Sequence, residues 1–223
     1  MRARIALEMA LELFVEDGTK STDLALQSTR LSLAYISLEE RNFKKALDYS
    51  MLVLDDRESD DTTAQHSDDK SDIDALEDTT ESVRHHMVKR QKATARMYAS
   101  EARASLGDAM ASMKLLVGDG KDDAFDRLAS DLGGVTIGMA SSNAQAKERL
   151  AKSQTMVRCS ASAASSALGN VTASKQLAMS AQAMENSYSS SREGTSQARK
   201  ALIYCMLREG NHGAALTLLR SAR

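Results

Sequence analysis

The chain has 223 residues, enough for one or two compact domains, and contains no proline, no tryptophan, five tyrosines and three phenylalanines. Because strand-favouring runs of Val, Ile, Tyr and Phe are scarce, the composition predicts an all-α fold. The formal net charge of −2 argues against a dedicated nucleic-acid binder, and no apolar run reaches the length of a membrane-spanning helix.

The N-terminal segment Met1–Phe14 is predicted to be an amphipathic helix. Its apolar stripe consists of Ile5, Met9, Leu11 and Phe14, and glutamates interrupt it. A terminal repeat of a helical array carries a polar outer face, which this helix lacks. We therefore expect the chain to be the C-terminal part of a longer repeat protein, with residues 1–54 forming a helix and a first helical hairpin.

The first hairpin is predicted between Leu24 and Leu54. Apolar and small residues recur there at i, i+3, i+4 and i+7 on one helix and continue along the next. These predicted core positions are Leu31, Ala34, Tyr35, Leu38, Phe43 and Ala46.

Residues 55–81 form an acidic insertion that is almost without large apolar side chains. Such a segment cannot bury enough surface to offset the entropy of ordering it. Disorder is therefore predicted for 55–81.

Further helical hairpins are predicted within 82–223, with loops at 118–144 and 185–195. The 118–144 loop is expected to contain one helical turn around the amphipathic stretch Ala124–Leu132. Turn signals at Gly107-Asp108, Gly169-Asn170 and Gly210-Asn211 divide three pairs of helices. The predicted core positions of these hairpins are Tyr98, Ala181, Tyr204, Leu207 and Ala215.

One hairpin cannot bury its own apolar face, so such units are stable only when they stack. The sequence therefore predicts a tetratricopeptide-like right-handed α-solenoid of helical hairpins with disordered insertions. A solenoid offers a long concave surface, and its expected work is to hold another molecule.

The hairpins resemble the tetratricopeptide repeat, with a small residue and an aromatic on the first helix and alanine on the second. More narrowly, three segments, Tyr98–Leu116, Leu132–Gln145 and Tyr204–Arg220, are similar in sequence and order to segments near the C-terminus of the family of subunit ten of the CCR-NOT mRNA deadenylase complex. Ser162 and Ser165 depart from this pattern, because they stand where the repeat prefers Gly and Tyr.

The resemblance implies a non-catalytic scaffold in mRNA deadenylation and decay. Its implied protein partners are subunit eleven and the large Not scaffold of the complex, with no cofactor and no small-molecule substrate. The alternative is a generic tetratricopeptide adaptor that binds a peptide or an RNA-associated partner.

A basic cluster precedes Tyr98, in which Arg84, Lys89, Lys92 and Arg96 recur at helical spacing. This stripe could meet RNA phosphates or an acidic partner peptide. The competing interpretation, which we favour, is a solvated helix face, because aromatic residues that would stack on single-stranded RNA are nearly absent nearby.

The sequence contains only weak signals for chemistry. His85 and His86 are adjacent on a helix and point in different directions, so a metal site that includes His66 is disfavoured. Gly133, Gly134 and Gly138 lack the Lys-Ser/Thr ending of a phosphate loop. No nucleophile elbow is present, so we expect no enzymatic activity.

The two cysteines, Cys159 and Cys205, lie in apolar helical stretches without CxxC spacing. They are expected to be reduced residues packed in the core. This usage indicates a cytoplasmic protein, with the nucleus as a second expected location.

Overall fold

The computed structural model describes residues 2–20, 23–55, 72–118, 123–135, 140, 143–188 and 196–220, and all their side chains except those of Arg2 and 72–80. These residues form α-helices and no strand, so the predicted all-α fold is confirmed. The helices are α1 (Arg2–Glu16), α2 (Leu24–Glu39), α3 (Phe43–Leu54), α4 (Asp72–Ser105), α5 (Ala109–Val117), α6 (Ala124–Gly133), α7 (Ala144–Ala167), α8 (Val171–Tyr188), α9 (Gln197–Arg208) and α10 (His212–Arg220).

The chain divides into two compact units, Met1–Tyr98 and Ala99–Arg223. The first contains α1 to α3 and most of α4, and the second contains the end of α4 and all later helices. The boundary between the units falls within α4.

The same turn joins the two helices of four hairpins, α2/α3, α4/α5, α7/α8 and α9/α10. Its first residue has a positive φ in each case: Arg41 (59°), Gly107 (89°), Gly169 (81°) and Gly210 (75°). A left-handed residue at this place ends the first helix, because the chain leaves the helical path there. Glycine adopts this conformation without steric cost, whereas Arg41 carries a Cβ atom.

The second turn residue caps both helices. Asn42, Asp108, Asn170 and Asn211 each donate their backbone N–H to the carbonyl five residues earlier, at 2.7–2.9 Å. Their side-chain oxygens accept the N–H three residues later, at 3.1–3.4 Å. Each cap thus satisfies a carbonyl of the ending helix and an amide of the starting helix.

In two hairpins the helices contact each other through buried serines twelve positions apart, Ser100 with Ser112 and Ser162 with Ser174, whose hydroxyl oxygens lie 2.8 and 3.0 Å apart. The residues at the equivalent positions of the other two hairpins, Ala34 with Ala46 and Ile203 with Ala215, are also buried. At least one member of every pair is Ala or Ser. Small side chains let the helices approach closely, which a short turn requires.

In the first unit, Leu31, Val53 and Ala95 form a core cluster, against which Leu54 and Tyr98 pack. Helix α1 packs on α2. Ile5 and Met9 of its predicted apolar stripe are exposed, so the prediction that the whole stripe is buried is wrong for these two residues. The reason is that α2 covers only one side of α1.

In the second unit, α7 is the central helix and packs against α5, α6, α8 and α9. Its buried residues are mostly Ala, Ser and Thr, with Leu150 and Val157 as the larger exceptions. A second cluster joins Ala178, Leu202 and Cys205 across α8 and α9. The third hairpin is therefore packed by close backbone approach.

The structure corrects two of the predicted insertions. The prediction of disorder over 55–81 is wrong for 72–81, which form the first turns of α4; residues 56–71 lie outside the described residues. Once a helix is nucleated, each added residue contributes one more backbone hydrogen bond. Extending α4 is therefore favoured over leaving these residues as a loop. The prediction of a long loop over 118–144 is also wrong, because α6 forms a helix there.

Helix α6 is held by specific contacts to α7. Asp126 accepts hydrogen bonds from Gln154 Nε2 at 3.1 Å and from Arg158 Nη2 at 3.0 Å. Leu128 and Ala129 of α6 are buried. In the 185–195 region, α8 continues to Tyr188, and residues 189–195 lie outside the described residues.

Candidate partner-binding groove

The first helices of the hairpins present equivalent positions to solvent. The residues that follow Ala34, Ser100, Ser162 and Ile203 are Tyr35, Glu101, Ala163 and Tyr204, and all four are exposed. Tyr35 lines a cleft of the first unit, and the other three line a groove of the second unit. One register position therefore faces a concavity in all four hairpins.

The groove of the second unit is an open concavity of about 620 Å³. Its walls come from the last turns of α4, from α5, from α7 and from α9. Most lining side chains are small, namely Ser and Ala, and Tyr204 is the large aromatic exception. The small lining side chains do not fill the groove, so a segment of another molecule could enter it.

Buried hydroxyl groups lie beneath the groove. Ser162 Oγ donates to the Ser174 carbonyl at 2.8 Å, and Ser174 Oγ donates to the Ser162 carbonyl at 2.8 Å. Cys205 Sγ lies 3.0 Å from Ser174 Oγ. Since both hydroxyl protons are engaged with carbonyls, the Cys205 thiol is the donor to Ser174. Every hydroxyl in this buried cluster has a partner, as low-dielectric surroundings require.

Cys159 lies in the wall of the groove and is partly buried. Burial raises the pKa of its thiol to about 12, and the Glu185 carboxylate adds to the shift. The thiolate is the nucleophilic form of cysteine, and it is scarce at neutral pH when the pKa is this high. The geometry therefore provides an apolar wall at Cys159 and not an activated nucleophile.

Charge in the groove is confined to a few side chains. Glu101 of α4 and Lys200 of α9 line it, and both are exposed. They place one acidic and one basic side chain in a concavity whose other lining residues are neutral. A ligand there would be held by shape and by a small number of polar contacts.

The cleft of the first unit is smaller, about 270 Å³. Tyr35 and Tyr98 line it with their ring centroids 6.1 Å apart and their planes tilted by 40°. Leu31 and Ile36 contribute apolar surface, and Ser28 and Ser32 contribute hydroxyl groups. Aromatic pairs at this separation attract each other in addition to burying area.

The predicted core residues divide into two groups. Leu31, Ala34, Leu38, Ala46, Ala181 and Ala215 are buried, and Phe43 and Tyr98 are partly buried. The prediction of a core position is wrong for Tyr35, Tyr204 and Leu207, whose exposed fractions are 50%, 52% and 46%. Tyr35 and Tyr204 follow the buried residues Ala34 and Ile203 by one position, which turns them away from the second helix towards the concavity.

The predicted basic stripe lies on α4, within the first unit. Arg84, Lys89 and Arg96 are exposed, and Lys92 is partly buried. At about 100° per residue, Lys89, Lys92 and Arg96 share one side of the helix. Arg84 lies about 80° from Lys92, so the structure separates it from the other three.

In the part of the chain that is described, no three His, Cys, Asp or Glu side chains come together in a way that could hold a metal ion. His66 and Gly138 lie outside the described residues. None of the described helices is both long enough and apolar enough to cross a membrane.

Sequence reasoning missed the register that relates the hairpins. Seven residues after Ala34, Ser100, Ser162 and Ile203 comes the left-handed turn residue, and the next residue is Asn or Asp. This spacing was visible in the sequence and would have assigned Ser162 and Ser174 to the helix contact. It would also have turned Tyr35 and Tyr204 outwards.

Comparison with models of protein families, with curated proteins and with solved structures finds no match for this chain.

Proposed function

We propose that this protein is a non-catalytic protein-interaction scaffold whose hairpins stack as a right-handed tetratricopeptide-like solenoid. The observation that carries the proposal is the groove of the second unit, which is lined from equivalent positions of three hairpins by Glu101, Ala163 and Tyr204. Repetition of one turn and one contact register is what a repeat protein uses to build a continuous binding surface.

The chemistry of the groove fits a protein segment. Its Ala and Ser walls let a partner backbone come close, while Tyr204 supplies a large amphipathic surface that is half exposed before binding. Tyrosine is enriched among residues that dominate binding energy. Lys200, which is exposed in the groove, supplies a basic contact for a carboxylate or carbonyl of the bound segment.

The narrower proposal is that the scaffold is a CCR-NOT subunit acting in mRNA deadenylation and decay, in the cytoplasm and the nucleus. Its support is the resemblance of three segments, in order, to the family of subunit ten. The partners proposed on that basis are subunit eleven and the large Not scaffold. A generic adaptor would share the groove and bind other proteins through it.

The test is co-purification of the full chain with its partner, using a variant that fills the groove. Ala163→Trp places a large ring in the groove at an exposed position, so it should abolish partner binding and leave folding intact. Ala183→Trp, at an exposed position of α8 outside the groove, is the matched control. Equal binding by both variants would show that the groove is not the partner site.

Co-expression with subunit eleven and a Not scaffold fragment from the source organism separates the narrower proposal from the adaptor. Co-purification of either protein, lost in Ala163→Trp, supports the CCR-NOT assignment. If neither is retained by a folded chain while other proteins are captured through the groove, the assignment is wrong and the adaptor stands.

A further inference from the structure

The cleft of the first unit is a separate aromatic site, which the groove of the second unit does not include. Its lining residues are all uncharged, and Tyr35 and Tyr98 supply its aromatic surface. Its volume of about 270 Å³ lies below the range of about 300–1,000 Å³ that is typical of small-molecule pockets. The cleft therefore fits one side chain of another molecule better than a separate small ligand.

The Tyr35 ring is held in place although half of the residue is exposed. Its neighbour Tyr98, with a ring centroid 6.1 Å away, packs on the core cluster of the first unit. No described Lys or Arg lies over the Tyr35 ring, whereas Lys152 lies 5.9 Å from the ring centroid of Tyr188. A ring that is oriented and uncovered before binding loses little entropy when a ligand stacks on it.

A carboxylate lies beside the ring. Glu39 follows Tyr35 by four residues on α2, about 40° round the helix, so their side chains are neighbours on one face. Arg30 is the one basic residue of α2, and it lies about 140° from Tyr35. Its guanidinium donates to a backbone carbonyl of α3 at 3.5 Å, away from the cleft. The acidic side of the cleft is therefore not neutralised by its own helix.

The position of Glu39 at the end of α2 increases the demand for a cation. A helix C-terminus carries partial negative charge, and the last turn of α2 contains no basic residue. The next carboxylate, Glu40, is compensated by Arg4 at 2.6 Å. Glu39 is exposed and forms no ion pair with a described cation. A positive group from outside would balance it.

We infer that the cleft of the first unit binds an arginine side chain of a partner protein. A planar guanidinium can stack on the Tyr35 ring and at the same time direct its N–H groups to the Glu39 carboxylate. A lysine ammonium lacks the plane and the fork of donors, so it would make only one of these contacts well. The inference rests on the proposed scaffold function, but it does not depend on the groove.

The charge of the site distinguishes arginine from other groups that stack on tyrosine. A proline-rich segment also binds aromatic clefts, but it would leave Glu39 without a partner. A nucleotide base also stacks on aromatic rings, but Glu39 and the net charge of −2 would repel its phosphate. The same negative charges attract a guanidinium.

The experiment is an NMR titration of the full chain with capped tripeptides. The probes are Gly-Arg-Gly, the same peptide with lysine, with proline or with citrulline, the neutral isostere of arginine, and adenosine monophosphate. The arginine peptide should bind best and should shift the amide signals of Tyr35 and Glu39. Its affinity should fall as salt rises from about 50 to about 300 mM.

Variants of the ring separate aromatic stacking from apolar contact. Tyr35→Phe keeps the ring, so binding of the arginine peptide should stay within about twofold. Tyr35→Leu keeps apolar surface without a ring and should weaken binding about fivefold or more.

Variants of the carboxylate test the charge. Glu39→Gln should weaken binding of the arginine peptide about threefold. Glu12→Gln, at an exposed position of α1, changes the net charge equally and should leave the affinity within about 1.5-fold. Because Glu39 is exposed, Glu39→Gln keeps the test decisive if Tyr35→Leu loses helicity.

Several results would overturn the inference. Equal binding of the arginine and citrulline peptides would show that charge is not recognised, and equal binding of the lysine peptide would remove the preference for arginine. Tighter binding of the proline peptide or of adenosine monophosphate would identify a different occupant. Equal losses in Glu39→Gln and Glu12→Gln would show non-specific attraction. Ala163→Trp should leave binding of the arginine peptide unchanged, which separates this test from that of the groove.

Discussion

The first hairpin, α2/α3, and the third, α7/α8, share one turn and have different interiors. The first buries large side chains such as Leu26, Leu33 and Val53, and its equivalent pair of small residues, Ala34 and Ala46, is buried. The third buries mainly Ala and Ser, and its contact is the reciprocal hydrogen-bonded pair of Ser162 and Ser174.

The difference shows that turn and interior are separate determinants. The left-handed residue and the Asn cap fix where the chain reverses and are local in sequence. The interior decides how the helices are held, through apolar area in the first hairpin and through the hydrogen-bonded Ser162–Ser174 pair in the third.

The largest effect is expected from a charge at a fully buried position of the first hairpin. Ala46→Glu should lower the free energy of unfolding by about 3–5 kcal/mol, because a carboxylate would be buried there without a partner. Lys45→Glu, at the exposed neighbouring position, should change it by no more than about 0.5 kcal/mol. Chemical denaturation measures both. A small effect of Ala46→Glu would mean that this position can open without unfolding.

A double-mutant cycle at Ser162 and Ser174 tests the polar contact of the third hairpin. Each single change to Ala should cost about 1–2 kcal/mol, because a buried partner loses its hydrogen bond. The losses in the double variant should be nearly additive, because each hydroxyl donates to the backbone carbonyl of the other residue and neither substitution removes a carbonyl. A coupling energy above about 1 kcal/mol would mean that the contact between the two hydroxyl oxygens at 3.0 Å, and not the two bonds to carbonyls, dominates the pair.

Opposite changes at the first turn residue compare the two hairpins directly. Gly169→Ala should destabilise by about 1 kcal/mol, because a Cβ atom at φ of 81° is strained. Arg41→Gly relieves strain at φ of 59° and increases the freedom of the unfolded chain, so its net effect should lie within about 1 kcal/mol of zero. Thermal melting of both variants checks the contrast. Similar losses in both would show that Arg41 is not strained.

The smallest effect concerns Cys159 on α7 and appears only at high pH. Burial raises the pKa of its thiol from the ordinary value of 9.0 to about 12, so the folded protein holds the thiol proton where the unfolded chain has lost it. The resulting stability is fully present below pH 9 and is lost as pH rises towards 12.

Alkylation followed by peptide mass spectrometry measures the reactivity of Cys159. At pH 9 its modification should be much slower in the folded chain than in denaturant, because the thiolate is the reactive form. Equal rates at that pH would show that the thiol is solvated in the folded protein.

Sequence periodicity predicted the helical hairpins, because apolar spacing and turn residues are local properties of the chain. Leu31, Ala34 and Ala46 were placed in the core on that basis and are buried. Periodicity gives the apolar side of a helix but not the number of helices that cover it. For that reason Tyr204 and Leu207 were assigned to the core, although no described helix covers them fully.

The sequence alone determined that this chain is helical. It also determined the positions of three of the four hairpin turns in the described residues, those at Gly107, Gly169 and Gly210, because capping and helical spacing act within a few residues. Tertiary structure alone decided that α6 is a helix docked on α7 through Asp126 and that Ser162 pairs with Ser174. It also decided that equivalent positions face the groove. These features depend on contacts between residues far apart in the chain, and a local pattern carries no information on which side of a helix a distant neighbour will cover.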